Sequence, residues 1–146
     1  MTPGALDPEV VRRHLMALDE ALQVLRRHQG VTAAELEADR ERLWIVERGL
    51  QLCAQSALDI ATHIAASSGR ETPDYRSAID RLADLGVLPA AFTQRFRGIA
   101  GFRNVLVHGY LATDLDEVER LLAERLDDFV EYARRVQGHL DDLGAT

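Results

Sequence analysis

Lysine is absent from this chain, whose 17 basic residues are all arginine, a bias that reads as genomic base composition and carries no mechanism. Cysteine is nearly absent. The single Cys53 excludes an internal disulfide and falls in an apolar helical stripe, so it reads as a packing residue in a reducing cytoplasm rather than a reactive thiol. No window approaches the roughly 18 apolar residues of a membrane span, and the N-terminus lacks the basic start and apolar stretch of a secretory leader. A soluble, cytoplasmic protein with no membrane partner is expected. Strand-like alternation, internal repeats and low-complexity tracts are missing too. The net charge of -7 argues against a broad basic surface that displaces counterions from nucleic acid.

Acidic residues are missing from one place in particular. Between Leu85 and Thr113 there is no Asp or Glu, although 24 acids in 146 residues spread evenly would put about five there. Local positive potential is expected from those missing carboxylates, in a window that also carries Arg95, Arg97 and Arg103.

What is present reads almost entirely as helix, and 146 residues fit one domain, 1–146, able to bury a core without disulfides or a structural metal. Asp7-Pro8 opens a first helix with Val11, Leu15, Leu18, Leu22 and Leu25 on one face, ended by Gly30. A Thr32/Glu35 capping box opens a long second helix to about Ser67. Its stripe of Leu43, Val46, Leu50, Cys53, Ala57, Ile60 and Ile64 has the spacing of a helix inside an antiparallel bundle. Gln55, Asp59 and Thr62 fall opposite, toward a cleft or solvent. Thr72-Pro73 restarts a short helix that stops at Gly86, and Pro89 starts another carrying Phe92, Phe96 and Ile99. Gly98 and Gly101 weaken that helix just before Arg103, where a kink is expected. A box of Asp114 and Glu117 opens the last helix, lined by Leu115, Val118, Leu122, Phe129, Ala133, Val136 and Leu140. The fold class is therefore all-α, an antiparallel bundle of four to five helices.

Within residues 95–113 the run Arg103-Asn104-Val105-Leu106-Val107-His108-Gly109-Tyr110 combines a guanidinium that matches phosphate oxygens, an imidazole that titrates near neutrality, and a phenol. An Arg-x4-His match alone is cheap, with about 0.6 expected by chance, and Arg134/His139 supplies a second; adding Tyr two places later lowers the expectation to roughly 0.01. The Arg134 pair reads as helix surface. Five residues of straight helix turn through about 500°, leaving Arg103 and His108 some 140° apart. Gly109 is a candidate helix stop beyond which His108 and Tyr110 share a side. Arg103 joins them by a kink or from the second subunit of a symmetric dimer, the arrangement favoured here. Such a constellation suits metal-free RNA cleavage, and the motif has neither clustered carboxylates nor Cys and His ligands for a metal. No cofactor is expected.

The run from Gly101 to Tyr110 resembles the Arg-x4-His-x-Tyr signature of HepT toxins in the HEPN superfamily of helical ribonucleases. Glu47 through Ile64, the Thr72-Pro73 restart with Tyr75 and Arg76, and the turn from Asp84 to Pro89 are similar too, covering roughly residues 40 to 135. The resemblance implies a HEPN-like homodimer with a composite cleft and a prokaryotic, metal-independent ribonuclease toxin of a type VII toxin–antitoxin pair. It also implies a partner, a minimal nucleotidyltransferase antitoxin of the MntA type that adds AMP to the motif tyrosine. On this sequence Arg103 and His108 take the catalytic roles and Tyr110 the modification, with Asn104, Arg97 and Asp59 as candidate supporting residues. The alternative is a catalytically silent helical dimer that binds a nucleotide or a nucleotidyltransferase partner. A nucleotidyltransferase itself would need a Gly-Ser phosphate loop followed by spaced aspartates, which the chain lacks.

Overall fold

The Asp7 side chain accepts the backbone N–H of Glu9, and Pro8 occupies the first turn where its missing donor costs nothing, so α1 runs Pro8–Arg26. The computed structural model describes residues 6–69, 71–102 and 114–144. The Thr32/Glu35 capping box forms with both reciprocal bonds, yet it opens only the short α2, Ala33–Ala38. Asp39 then turns extended and caps α3, Arg40–Ser67, by accepting the N–H of Arg42. The expected single helix is thus two. An aspartate side chain can satisfy a new helix's free donors, and that preference ends one helix and begins the next.

α3 is the central helix, and α1 packs along it more extensively than any other pair of elements meets. Every residue of the expected stripe from Leu43 to Ile64 is buried. So are Gly49, Ala54, Ser56, Leu58, Ala61 and Ala65, which makes the buried surface of α3 wider than one stripe. Gly49 is where α1 comes closest: a Cβ there would stand 2.6 Å from Leu25 Cδ2.

α4 spans Tyr75–Asp84 and packs on α3. It starts after Asp74, whose carboxylate accepts the Ser77 N–H, rather than at Thr72-Pro73. It stops as expected at Gly86, whose φ of 76° is open to glycine and costly for other residues. α5, Ala90–Phe96, starts after Pro89. The chain turns at Arg97-Gly98 and is helical again over 99–102, so the expected interruption falls at Gly98.

Asp114 caps α6, Leu115–Glu124, by accepting the N–H groups of Asp116 and Glu117. α7 follows as Leu126–Gly144. The expected single last helix breaks at Arg125, where φ is -109°. α6 leans on α2, with Glu119 accepting the Ala33 N–H at 2.6 Å, while α7 crosses both α1 and α3. One contiguous apolar core joins residues from α1 through α7. Among the described residues no strand forms, and no helix is long and apolar enough to cross a membrane.

Candidate functional site

Arg103, Asn104, His108 and Tyr110 lie outside the described residues, as does the expected approach of Arg103 to His108. The elements that lead into and out of that stretch are described, and their construction starts with aromatic packing. Phe96, at the end of α5, stacks on Tyr132 at 4.6 Å between ring centroids and meets Phe129 edge-on at 5.6 Å. These three are the largest fully buried side chains among the described residues. The Tyr132 hydroxyl donates to the Ala57 carbonyl at 2.7 Å, so α5 and α7 are both tied to α3. Burial holds the Tyr132 phenol well above the usual tyrosine range, which keeps it a neutral donor. Residues 97–102 leave directly from this platform, and Arg103 is next in the chain.

Tyr132 was not among the residues expected in the core. A tyrosine on an amphipathic helix is equally at home at a surface, and only its partner Ala57, 75 residues away, distinguishes the two.

Arginines of the acid-free window find carboxylates from other elements. Arg95 Nε donates to Asp128 Oδ1 at 3.1 Å, and Arg125 donates to Asp128 Oδ2 at 3.0 Å. Asp128 keeps only 15 % of its side-chain surface exposed, and one carboxylate shared by two guanidinium groups leaves a surplus positive charge. Arg97 stands 3.6 Å from Asp80 on α4, in a pair that is partly exposed on both sides, so it contributes little stability. A stretch without acids in sequence is thus not one without acids in space, although two of its arginines and Arg125 share only Asp80 and Asp128. Arg95 also lies over the Phe92 ring at 5.2 Å.

The other candidate supporting residue, Asp59, is half-buried on α3 and accepts from the Gln55 side-chain amide at 2.7 Å. Thr62 beside it is exposed and donates to the Leu58 carbonyl. Arg134 pairs with Glu131 on the α7 surface with 71 % of its side chain exposed, as its acidic surroundings suggested. His63 Nε2 accepts the Asp7 N–H at 3.1 Å, and His28 Nδ1 accepts from Arg42 Nε at 3.2 Å. Burial and the charges of Arg42 and Arg27 lower the pKa of His28, consistent with an imidazole nitrogen that must stay unprotonated to accept. The Cys53 thiol is buried and pushed up to about 12 by desolvation, which suits packing rather than nucleophilic chemistry. Among the described residues no three His, Cys, Asp or Glu side chains cluster to hold a metal ion.

A family model described as Ribonuclease HepT-like matches residues 18–136, a span that includes Arg103 to Tyr110. The chain is 26% identical over 140 residues to the tRNA nuclease HepT of Aphanizomenon flos-aquae, covering 94% of this chain and 95% of that protein. It is 29% identical over 84 residues to the mRNA nuclease HepT of Shewanella oneidensis, covering 57% of this chain and 63% of that protein. In fold it is similar to the tri-AMPylated Shewanella oneidensis HEPN toxin solved in complex with MNT antitoxin. That likeness has a TM-score of 0.78 at 20% identity, over 88% of this chain and 97% of the other.

Proposed function

Because the chain belongs to the HepT-like ribonuclease family, we propose that it is the metal-independent ribonuclease toxin of a toxin–antitoxin pair, with Arg103 and His108 as its catalytic residues. The observation that carries this reading is the family match running through residues 103–110, where the sequence holds Arg-x4-His-x-Tyr intact. Nuclease relatives acting on two kinds of RNA support the substrate class.

In this reading two copies of the chain bring their motifs together across a composite cleft. A His108 imidazole takes the proton of a ribose 2′-hydroxyl, whose oxygen forms a bond to the adjacent phosphorus. The bond from phosphorus to the 5′-oxygen breaks, and a protonated His108 supplies the proton that the leaving oxygen needs. Arg103 balances the charge that grows on the phosphoryl oxygens. The products are a 2′,3′-cyclic phosphate and a 5′-hydroxyl. Restraint comes from a nucleotidyltransferase antitoxin of the MntA type, which transfers AMP from ATP to the Tyr110 hydroxyl and releases pyrophosphate. The added phosphodiester competes for Arg103, and the nucleotide fills the cleft. The tri-AMPylated structural relative supports this last step.

The test is cleavage of RNA by the purified protein in the presence of a chelator, with end-group analysis of the products. Arg103→Ala and His108→Ala are each expected to lose about a hundredfold or more in rate. Full activity in either variant, or abolition by the chelator, would refute the mechanism. Intact mass after co-expression with an adjacent nucleotidyltransferase should show AMP additions that disappear in Tyr110→Phe.

A further inference from the structure

Both stretches that bracket the motif in sequence contribute to one cavity. Gly98, Ile99 and Phe102 form one wall, α6 supplies Arg120 and Leu121 opposite, and α7 with the α6–α7 break supplies Arg125 and Asp128. Its volume is about 110 Å³, well below the roughly 300 Å³ at which sites for whole cofactors or drug-sized ligands begin. A single planar ring suits it better. Ile99 and Phe102 are only half-buried and still have apolar surface to give, whereas Phe96 and Phe129 behind them are already buried in the core.

The rim is charged and pre-set. Arg95, Arg120 and Arg125 line the cavity with Glu117 and Asp128 as the only acids among its described lining residues, on a chain whose net charge is -7. Asp128 holds Arg95 and Arg125, and Arg120 is held by Glu117 and, at 3.5 Å, by Glu124. Guanidinium groups already oriented by carboxylates lose less freedom when they meet a phosphate. An apolar slot sized for one ring, rimmed by arginine, is how proteins hold one unpaired base together with its backbone.

We infer that this cavity receives one nucleobase of the RNA strand, packed against Phe102 and Ile99, with Arg120 and Arg125 on the neighbouring phosphates. The inference rests on the ribonuclease reading and deepens it: the cavity fixes where the strand lies relative to the bond that is cut.

The probe is a single-stranded RNA oligonucleotide of one sequence, made as a series in which one abasic position moves along the strand. Cleavage of each is followed with the wild-type protein, with Arg120→Gln and with Gly98→Leu. A Cβ at Gly98 meets nothing within 4 Å, so the leucine enters open space at the cavity wall, and a thermal melt checks that both variants fold. For the wild type, removing the base at one fixed distance from the cut should lower kcat/KM about tenfold, the scale of a lost stacked base. In both variants that ratio should fall toward one. Cleavage indifferent to abasic position, or a positional effect that survives both substitutions, overturns the cavity assignment and leaves the ribonuclease reading intact. Variants that keep the ratio but no longer bind the nucleotidyltransferase partner overturn it in favour of a protein contact. A wild type that cuts no RNA instead removes the functional reading, and this inference with it.

Discussion

Gly49 and Gly138 both lie inside α-helices, so alanine at either gains up to roughly 1 kcal/mol of helix propensity, yet the surroundings send the two substitutions in opposite directions. On α7 a Cβ at Gly138 meets nothing within 4 Å, and Gly138→Ala should stabilise by about 0.5–1 kcal/mol. At Gly49 the same atom would stand 2.6 Å from Leu25 Cδ2 and 2.8 Å from Leu25 Cγ. Leu25 is 0% exposed, and because its branch carbon is involved, relief requires moving the whole side chain or the α1 backbone. Overpacking of that kind costs about 1–3 kcal/mol, which outweighs the propensity gain and leaves Gly49→Ala less stable by about 1 kcal/mol. The two variants should therefore differ by about 2 kcal/mol in urea denaturation, or roughly 4–8 °C in melting temperature for a chain of this size. In a Leu25→Ala background the obstruction is gone, and Gly49→Ala should become stabilising. A Gly49→Ala protein at least as stable as wild type with Leu25 intact would refute the reasoning, since it would show that α1 can slide off α3 at negligible cost.

Tyr132→Phe removes the hydroxyl that donates to the Ala57 carbonyl and should cost about 1 kcal/mol in denaturant unfolding; unchanged stability would mean the bond adds nothing beyond packing. The Ser77 backbone and side-chain donors hold the exposed Asp74 carboxyl below the usual aspartate range. Its stabilising contribution is therefore present above the unfolded carboxyl's pKa and lost as pH falls through the lower folded value. Wild type should exceed Asp74→Ala in stability at pH 7 and converge with it in acid, and a gap that persists to the lowest pH at which both fold would contradict that assignment.

The apolar stripes of α1 and α3 were legible because their spacing is local and unambiguous: Val11, Leu18, Leu22 and Leu25, and the run from Leu43 to Ile64, are buried as the helical period requires. The breaks at Asp39 and Arg125 were not, because neither position carries glycine or proline. Aspartate is tolerated inside helices, and its capping role at residue 39 emerges only once its carboxylate meets the Arg42 N–H. At Arg125 the side chain is held by Asp128 three residues on, a pairing equally compatible with an unbroken helix. Linear charge patterning was incomplete for a related reason. The window from Leu85 to Thr113 has no acids of its own, but Asp80 and Asp128 arrive from α4 and α7, and a count along the sequence does not register what folding brings alongside. The candidate catalytic residues Arg103 and His108 rest on residue type, spacing and family resemblance, and lie outside the described residues. The cavity was not legible in the sequence, since its wall and rim come from two stretches, 95–102 and 117–129, that lie apart in the chain.

The placement of the bulkiest packing follows from what the proposed chemistry demands. Acid–base cleavage loses rate steeply when a guanidinium or imidazole is misplaced by an ångström, so a stretch carrying such groups is best supported from a rigid base. Tyr132, Phe96 and Phe129 form one cluster beneath the turn at Arg97-Gly98, and from there only a short helical stretch, residues 99–102, separates it from Arg103. Asp114 anchors the other end through two backbone N–H groups. α6 returns against α2 through the Glu119 carboxylate, and the Gln29 amide donates to the Leu122 carbonyl at 3.2 Å. Both ends of the motif segment are thus tied to α2, α3 and the turn after α1 by contacts that do not use the motif's own residues.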